Sequence, residues 1–91
     1  MLDDLRIRID AIDDEINRLF LERLDVTKEV AKIKKENGLP VLNEARECEI
    51  KNRLTEGLDG ETKGYVELLF DTIFELSRTQ QEKLISGEQG A

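Results

Sequence analysis

At 91 residues, of which 38% are hydrophobic and 38% charged, the chain has room for one small domain, and its few aromatic residues and single proline favour an all-α fold. Histidine is absent and Cys48 is the only cysteine, so the composition excludes an intrachain disulfide and His-dependent triads, and it predicts no metal site. The net charge of −7 argues against general nucleic-acid binding. The sequence contains neither a membrane-spanning apolar run nor a signal-peptide pattern, so it predicts a cytoplasmic protein.

The segment from Leu2 to Asn37 has its apolar residues on one heptad frame. One heptad position is held by Leu2, Ile9, Ile16 and Val30, and the other by Leu5, Ile12, Leu19, Val26 and Ile33. Because the segment contains neither Gly nor Pro, this pattern predicts one very long helix that ends near Asn37-Gly38. Such a helix would be about 50 Å long, more than a small monomer can cover. We therefore expect a partner chain.

Two further helices are expected after a short connection. Asn43 is a suitable N-cap for a short second helix from about Glu44 to Leu54, and apolar periodicity predicts a medium third helix from about Glu61 to Leu84. The sequence therefore predicts three helices per chain within a domain of residues 1–85. Residues 86–91 are expected to form a flexible C-terminal tail or the stub of a linker.

Each predicted helix also places polar side chains on the face that should be apolar. These residues are Arg23 and Lys34 in the first helix, Arg46 and Glu47 in the second, and Ser77 and Gln81 in the third. A buried charge costs several kcal/mol unless it is paired, so such positions usually contact a protein group or a ligand. Arg23 alone could set the register or oligomeric state of a helical assembly, or form a buried ion pair with Glu47.

Taken together, the same residues supply three cations, one carboxylate and two neutral donors. This excess of donors suits a small anion that carries carboxylates and a hydroxyl. The distribution of charge agrees, because residues 23–53 contain eight basic and six acidic side chains between two acidic flanks. A basic region inside an acidic protein suits a small anionic ligand better than a polyanion.

The ordered set of motifs resembles the all-helical chorismate mutases, which are intertwined helical homodimers of three helices per chain. The resemblance extends from Leu5 to Gln81 and rests on Leu5-Arg6, Glu22-Arg23, Lys34, Arg46-Glu47, Ser77-Arg78 and Gln81. It implies an enzyme that isomerises chorismate to prephenate by a Claisen rearrangement, in the shikimate pathway to phenylalanine and tyrosine. This reaction needs no cofactor, metal or covalent intermediate, in keeping with a chain that lacks histidine.

The resemblance also implies a role for each site residue. Lys34 and Gln81 would donate hydrogen bonds to the ether oxygen of the substrate, and Glu47 would accept one from the ring hydroxyl. The implied substrate-binding residues are Arg6, Arg23, Arg46, Asn43 and Ser77. Arg6 would come from the other subunit of the dimer. Asn43 stands where many family members have Asp, so any role of this position would be filled by an uncharged amide.

Three other functions remain open from the sequence. A related helical enzyme that eliminates pyruvate from isochorismate would use a similar pocket, and product analysis would distinguish it. A weakly active mutase domain could regulate a partner enzyme of the shikimate pathway, and that partner would then restore activity. A non-catalytic helical dimerisation module would tolerate loss of Lys34 and Gln81 without change in stability or function.

Overall fold

The computed structural model describes residues 1–87, which form three helices and no strand. Helix α1 spans Leu2–Asn37, α2 spans Glu44–Thr55 and α3 spans Gly60–Ser86. The prediction of an all-α chain with one very long, one short and one medium helix is therefore confirmed. Helix α3 continues two residues past its predicted end and includes Ser86, the first residue of the predicted tail. Residues 88–91 of that tail lie outside the described part of the chain.

Local signals at the helix ends act as the sequence predicts. Gly38 ends α1 in the left-handed conformation with φ of 64°, which glycine adopts without a steric penalty, and its N–H bonds to carbonyls of the last turn. The side chain of Asn43 begins α2 by accepting a hydrogen bond from the backbone N–H of Arg46 at 3.0 Å. These two caps bring the C-terminal end of α1 close to the N-terminal end of α2, where the charged site residues lie.

Helix α3 is the centre of the packing, because it contacts both α1 and α2. The buried apolar residues of this small core are Ala31 and Phe74. Most of the heptad stripe on α1 is uncovered: more than half of the surface is exposed at Leu2, Leu5, Ile9, Ile12, Ile16, Leu19, Val26 and Ile33. A long uncovered apolar stripe of this kind is typical of a protein–protein contact surface. Among residues 1–87, no helix has the length and apolar character needed to span a membrane.

Candidate active site

A cavity of about 210 Å³ lies where the three helices and the connection between α1 and α2 meet. Seven of the eight predicted site residues line it: Arg23, Lys34, Asn43, Arg46, Glu47, Ser77 and Gln81. The residues that break the apolar faces of three different helices are therefore brought together in space. Val30, Val41, Ile50 and Phe74 supply the apolar part of the wall. A concave site with apolar walls and a few converging polar groups is the usual form of a small-molecule site.

Arg23 is half-buried on the α1 side of the cavity. Its guanidinium carbon lies 5.6 Å from the centre of the Phe74 ring, which is within the range of a cation–π contact. Burial lowers the pKa of Arg23, the charge of Arg46 lowers it further, and Glu47 opposes the shift. Its Nη1 atom is buried and has no hydrogen-bond partner within residues 1–87. A cation with a free buried donor is suited to receive an anionic acceptor.

Lys34 approaches the cavity from the last turns of α1. Its Nζ atom donates a hydrogen bond to the carbonyl oxygen of Val41 at 2.7 Å. An ammonium group has three donors, so this bond fixes the side chain and leaves two donors for a ligand. The connection between α1 and α2 thus positions Lys34 before any ligand is bound.

Ser77 and Gln81 are both buried, each 5% exposed, as their place on the apolar stripe of α3 predicts. The Gln81 Nε2 atom donates to the Ser77 hydroxyl at 3.1 Å, while the buried Gln81 Oε1 atom has no partner in the described residues. Burying an amide group without partners is costly. The unpaired oxygen can accept a hydrogen bond from a ligand, and the second N–H of Nε2 remains free to donate one.

Glu47 forms an ion pair with Arg78 across the contact between α2 and α3. The hydrogen bond from the Arg78 guanidinium to this carboxylate raises the pKa of Arg78. The alternative in which Glu47 pairs with Arg23 is therefore wrong. Arg78 belongs to a motif that carries the resemblance, but helical periodicity does not place it at the site, because one residue after Ser77 lies about 100° further around the helix. Its long side chain nonetheless reaches the cavity.

Arg46 and Asn43 lie at the rim. Arg46 lines the cavity, but its side chain is 55% exposed and pairs with Glu49 at 2.8 Å. The expectation that Arg46 points toward a buried side is thus wrong for the single chain, where its guanidinium is held at the edge. Asn43 uses its side-chain oxygen as the cap of α2. Its amide nitrogen can still donate a hydrogen bond at the rim.

Arg6 does not reach this cavity. It is exposed in the first turns of α1, and Arg23 follows seventeen residues later on the same continuous helix. At about 1.5 Å per residue, the two positions are separated by about 25 Å along the axis. The site of one chain therefore lacks one of the predicted carboxylate-binding arginines.

The cavity wall is strongly cationic. Four positive side chains line it, from Arg23, Lys34, Arg46 and Arg78, and Glu47 is the one negative side chain among the residues that line it. An excess of three positive charges favours a ligand with more than one negative charge. Three packed helices around a cationic cavity define the class of the protein as a helical domain with a site suited to a small polyanion.

Residues 5–82 match the family model of chorismate mutase type II. The chain therefore belongs to this family. It is 44% identical over 46 residues to the T-protein of Haemophilus influenzae, and 40% identical over 53 residues to the chorismate mutase of Methanocaldococcus jannaschii. These matches span 50% and 58% of this chain, but 12% and 54% of the two relatives. No solved structure matches the chain significantly.

Proposed function

We propose that this chain is a chorismate mutase, which isomerises chorismate to prephenate by a Claisen rearrangement. The observation that carries the proposal is the cavity itself, in which four cations, one carboxylate and the buried pair Ser77 and Gln81 converge. Chorismate has two carboxylates, a ring hydroxyl and an ether oxygen, so each kind of group in the cavity has a counterpart on the substrate. Membership of the family supports the same activity.

In this proposal the cavity acts by positioning and electrostatics. Arg23 binds one carboxylate through its free Nη1, Arg46 supports a carboxylate at the rim, and Glu47 accepts from the ring hydroxyl. Lys34 and Gln81 donate to the ether oxygen, where negative charge grows as the C–O bond breaks. Donors that are fixed in advance stabilise charge that appears only in the transition state, without paying for reorganisation.

We also propose that the chain works as a homodimer in which Arg6 of one subunit completes the cavity of the other. Three features support this: the uncovered heptad stripe of α1, the unpaired donor of Arg23 and the distance between Arg23 and Arg6. An antiparallel second copy of α1 would cover the stripe and bring its Arg6 toward the cavity. A cytoplasmic location and an association with another shikimate-pathway enzyme stay predictions from the sequence.

The dimer is tested by Ile12→Glu, which places a carboxylate in the middle of the stripe. We expect this variant to lose the dimer and most of its thermal stability, because each subunit would bury an unpaired charge at a cost of several kcal/mol. The matched control is Ile7→Glu, since Ile7 is the same residue type and is also mostly exposed but lies off the stripe. Sedimentation velocity measures the mass of each variant. A monomeric wild type, or an Ile12→Glu variant that stays dimeric, would contradict the proposal.

The activity is tested with wild-type protein produced in a host that lacks its own mutase. We expect chorismate to disappear in proportion to the amount of protein, and prephenate to be the product identified by mass spectrometry. Isochorismate is supplied in a parallel reaction, where formation of salicylate and pyruvate would identify the lyase instead. Failure to convert chorismate would reject the proposed activity.

A further inference from the structure

The ion pair between Arg78 and Glu47 has no part in the mechanism proposed above. Within residues 1–87 it is the one ion pair whose two members both line the cavity. Both side chains are largely covered, with 29% of Arg78 and 24% of Glu47 exposed. A charge-assisted hydrogen bond at such a covered position is stronger and better ordered than one on the surface. The pair therefore fixes where the Glu47 carboxylate points.

The hydrogen bond uses one oxygen of the carboxylate. Arg78 donates through Nη1 to Oε2 of Glu47, and no residue of the described chain donates to Oε1. An ionised carboxylate has about four acceptor sites, so Oε1 stays available to a hydroxyl of the ligand. Arg78 thus leaves Glu47 able to accept while it restricts the rotation of the carboxylate.

The pair also affects Arg23, a second cation at the cavity. Arg23 is affected electrostatically by both Arg46 and Glu47, so Glu47 is close enough to be attracted to it. Nevertheless, Nη1 of Arg23 has no partner in the described residues, and Glu47 bonds to Arg78 instead. If Glu47 turned toward Arg23, the pair would neutralise the guanidinium that the mechanism needs for a substrate carboxylate. In the structure the Glu47 carboxylate is instead held by Arg78.

We propose that Arg78 is a positioning residue that holds Glu47 toward the substrate hydroxyl and away from Arg23, so that both remain available to the substrate. This inference rests on the proposed mutase activity. It predicts that loss of Arg78 lowers activity because the Glu47 carboxylate is no longer held in place. The variant would lose Glu47 as an ordered acceptor for the substrate hydroxyl and, once Glu47 pairs with Arg23, the free guanidinium of Arg23 as well.

The test is a double-mutant cycle with Arg78→Gln, Glu47→Gln and the double variant, measured as kcat and KM for chorismate. We expect Arg78→Gln to lower kcat/KM about tenfold, the scale of one charge-assisted hydrogen bond, with a rise in KM because Arg23 becomes paired. In the Glu47→Gln background the same change should lower kcat/KM about twofold or less, because a neutral amide has no net charge to pair with Arg23. Arg78→Lys keeps a charged donor and should recover part of the loss.

The matched control is Arg18→Gln, which breaks the ion pairs of Arg18 with Glu15 and Glu22 on the exposed face of α1, away from the cavity. We expect its kinetics to equal those of the wild type. Circular dichroism monitors the folding of each variant, and the cycle is run with Arg78→Met, which also removes the charged donor, if Arg78→Gln does not fold.

The possible outcomes separate this inference from the proposed function. Equal losses on removing Arg78 in the wild-type and Glu47→Gln backgrounds would show that Arg78 binds substrate independently, which overturns the positioning role. Wild-type kinetics for Arg78→Gln would overturn it as well. A wild-type protein that does not convert chorismate would reject the activity, and this inference would fall with it.

Discussion

Replacing Lys34 with alanine is expected to lower kcat/KM for chorismate about a hundredfold or more, which corresponds to about 3 kcal/mol of transition-state stabilisation. Lys34 is fixed by its bond to the Val41 carbonyl and carries two further donors at the cavity. Negative charge on the ether oxygen develops only as the bond breaks, so most of the loss should appear in kcat rather than in KM. Steady-state kinetics of purified Lys34→Ala measure both parameters.

Lys32→Ala is the matched control, because Lys32 is an exposed lysine on the same helix that does not line this cavity. It should retain wild-type kinetics. Circular dichroism tests whether loss of the bond to Val41 alters folding, since an unfolded variant would be inactive for another reason. If folded Lys34→Ala is as active as the wild type, the electrostatic role of Lys34 is wrong. Unchanged function in both Lys34→Ala and Gln81→Ala would instead favour a dimerisation module.

Most of the fold could be predicted because its signals are local. The heptad stripe and the absence of Gly and Pro define α1, Gly38 supplies the positive φ that ends it, and Asn43 supplies the cap that begins α2. The end of α3 was less predictable, because the helix propensities of Leu84, Ile85 and Ser86 allow it to continue. The structure places its last residue at Ser86.

The candidate site could be predicted as a set of residues but not as a set of contacts. Helical periodicity alone identifies Arg23, Ser77 and Gln81 as polar groups on apolar faces, and the structure gathers them in one cavity. Which cation pairs with Glu47 depends on the relative placement of α2 and α3. That placement is set by tertiary packing, to which Arg78 contributes from outside the apolar stripe. Helical periodicity predicts the face on which a residue lies, but not how far a long side chain such as that of Arg78 extends.

The position of Arg6 is the clearest difference between a single chain and the proposed active assembly. Arg6 and Arg23 lie about 25 Å apart on one continuous helix, so no rearrangement of their side chains can bring both to one small ligand. A second chain can. This makes exchange of subunits a direct test of where Arg6 acts.

Arg6→Ala and Arg23→Ala are each expected to be nearly inactive alone, because each homodimer lacks an arginine for a substrate carboxylate in both cavities. When the two variants are mixed and allowed to exchange subunits, activity should return to about a quarter of the wild-type value. Random pairing makes about half of the dimers mixed, and one of the two cavities in each mixed dimer then contains both arginines. Activity per subunit is measured after exchange and compared with the unmixed variants.

The matched control is a mixture of Arg23→Ala with Lys34→Ala. Both residues line the cavity of the same chain, so every cavity of their mixed dimer lacks one of them, and no activity should return. Native mass spectrometry of chains with different tags verifies that mixed dimers have formed in both experiments. If the Arg6→Ala mixture stays inactive after verified exchange, Arg6 does not act across the dimer. If the control mixture recovers as well, Arg23 and Lys34 act in different cavities, and the site described in the single chain would have to be divided between subunits.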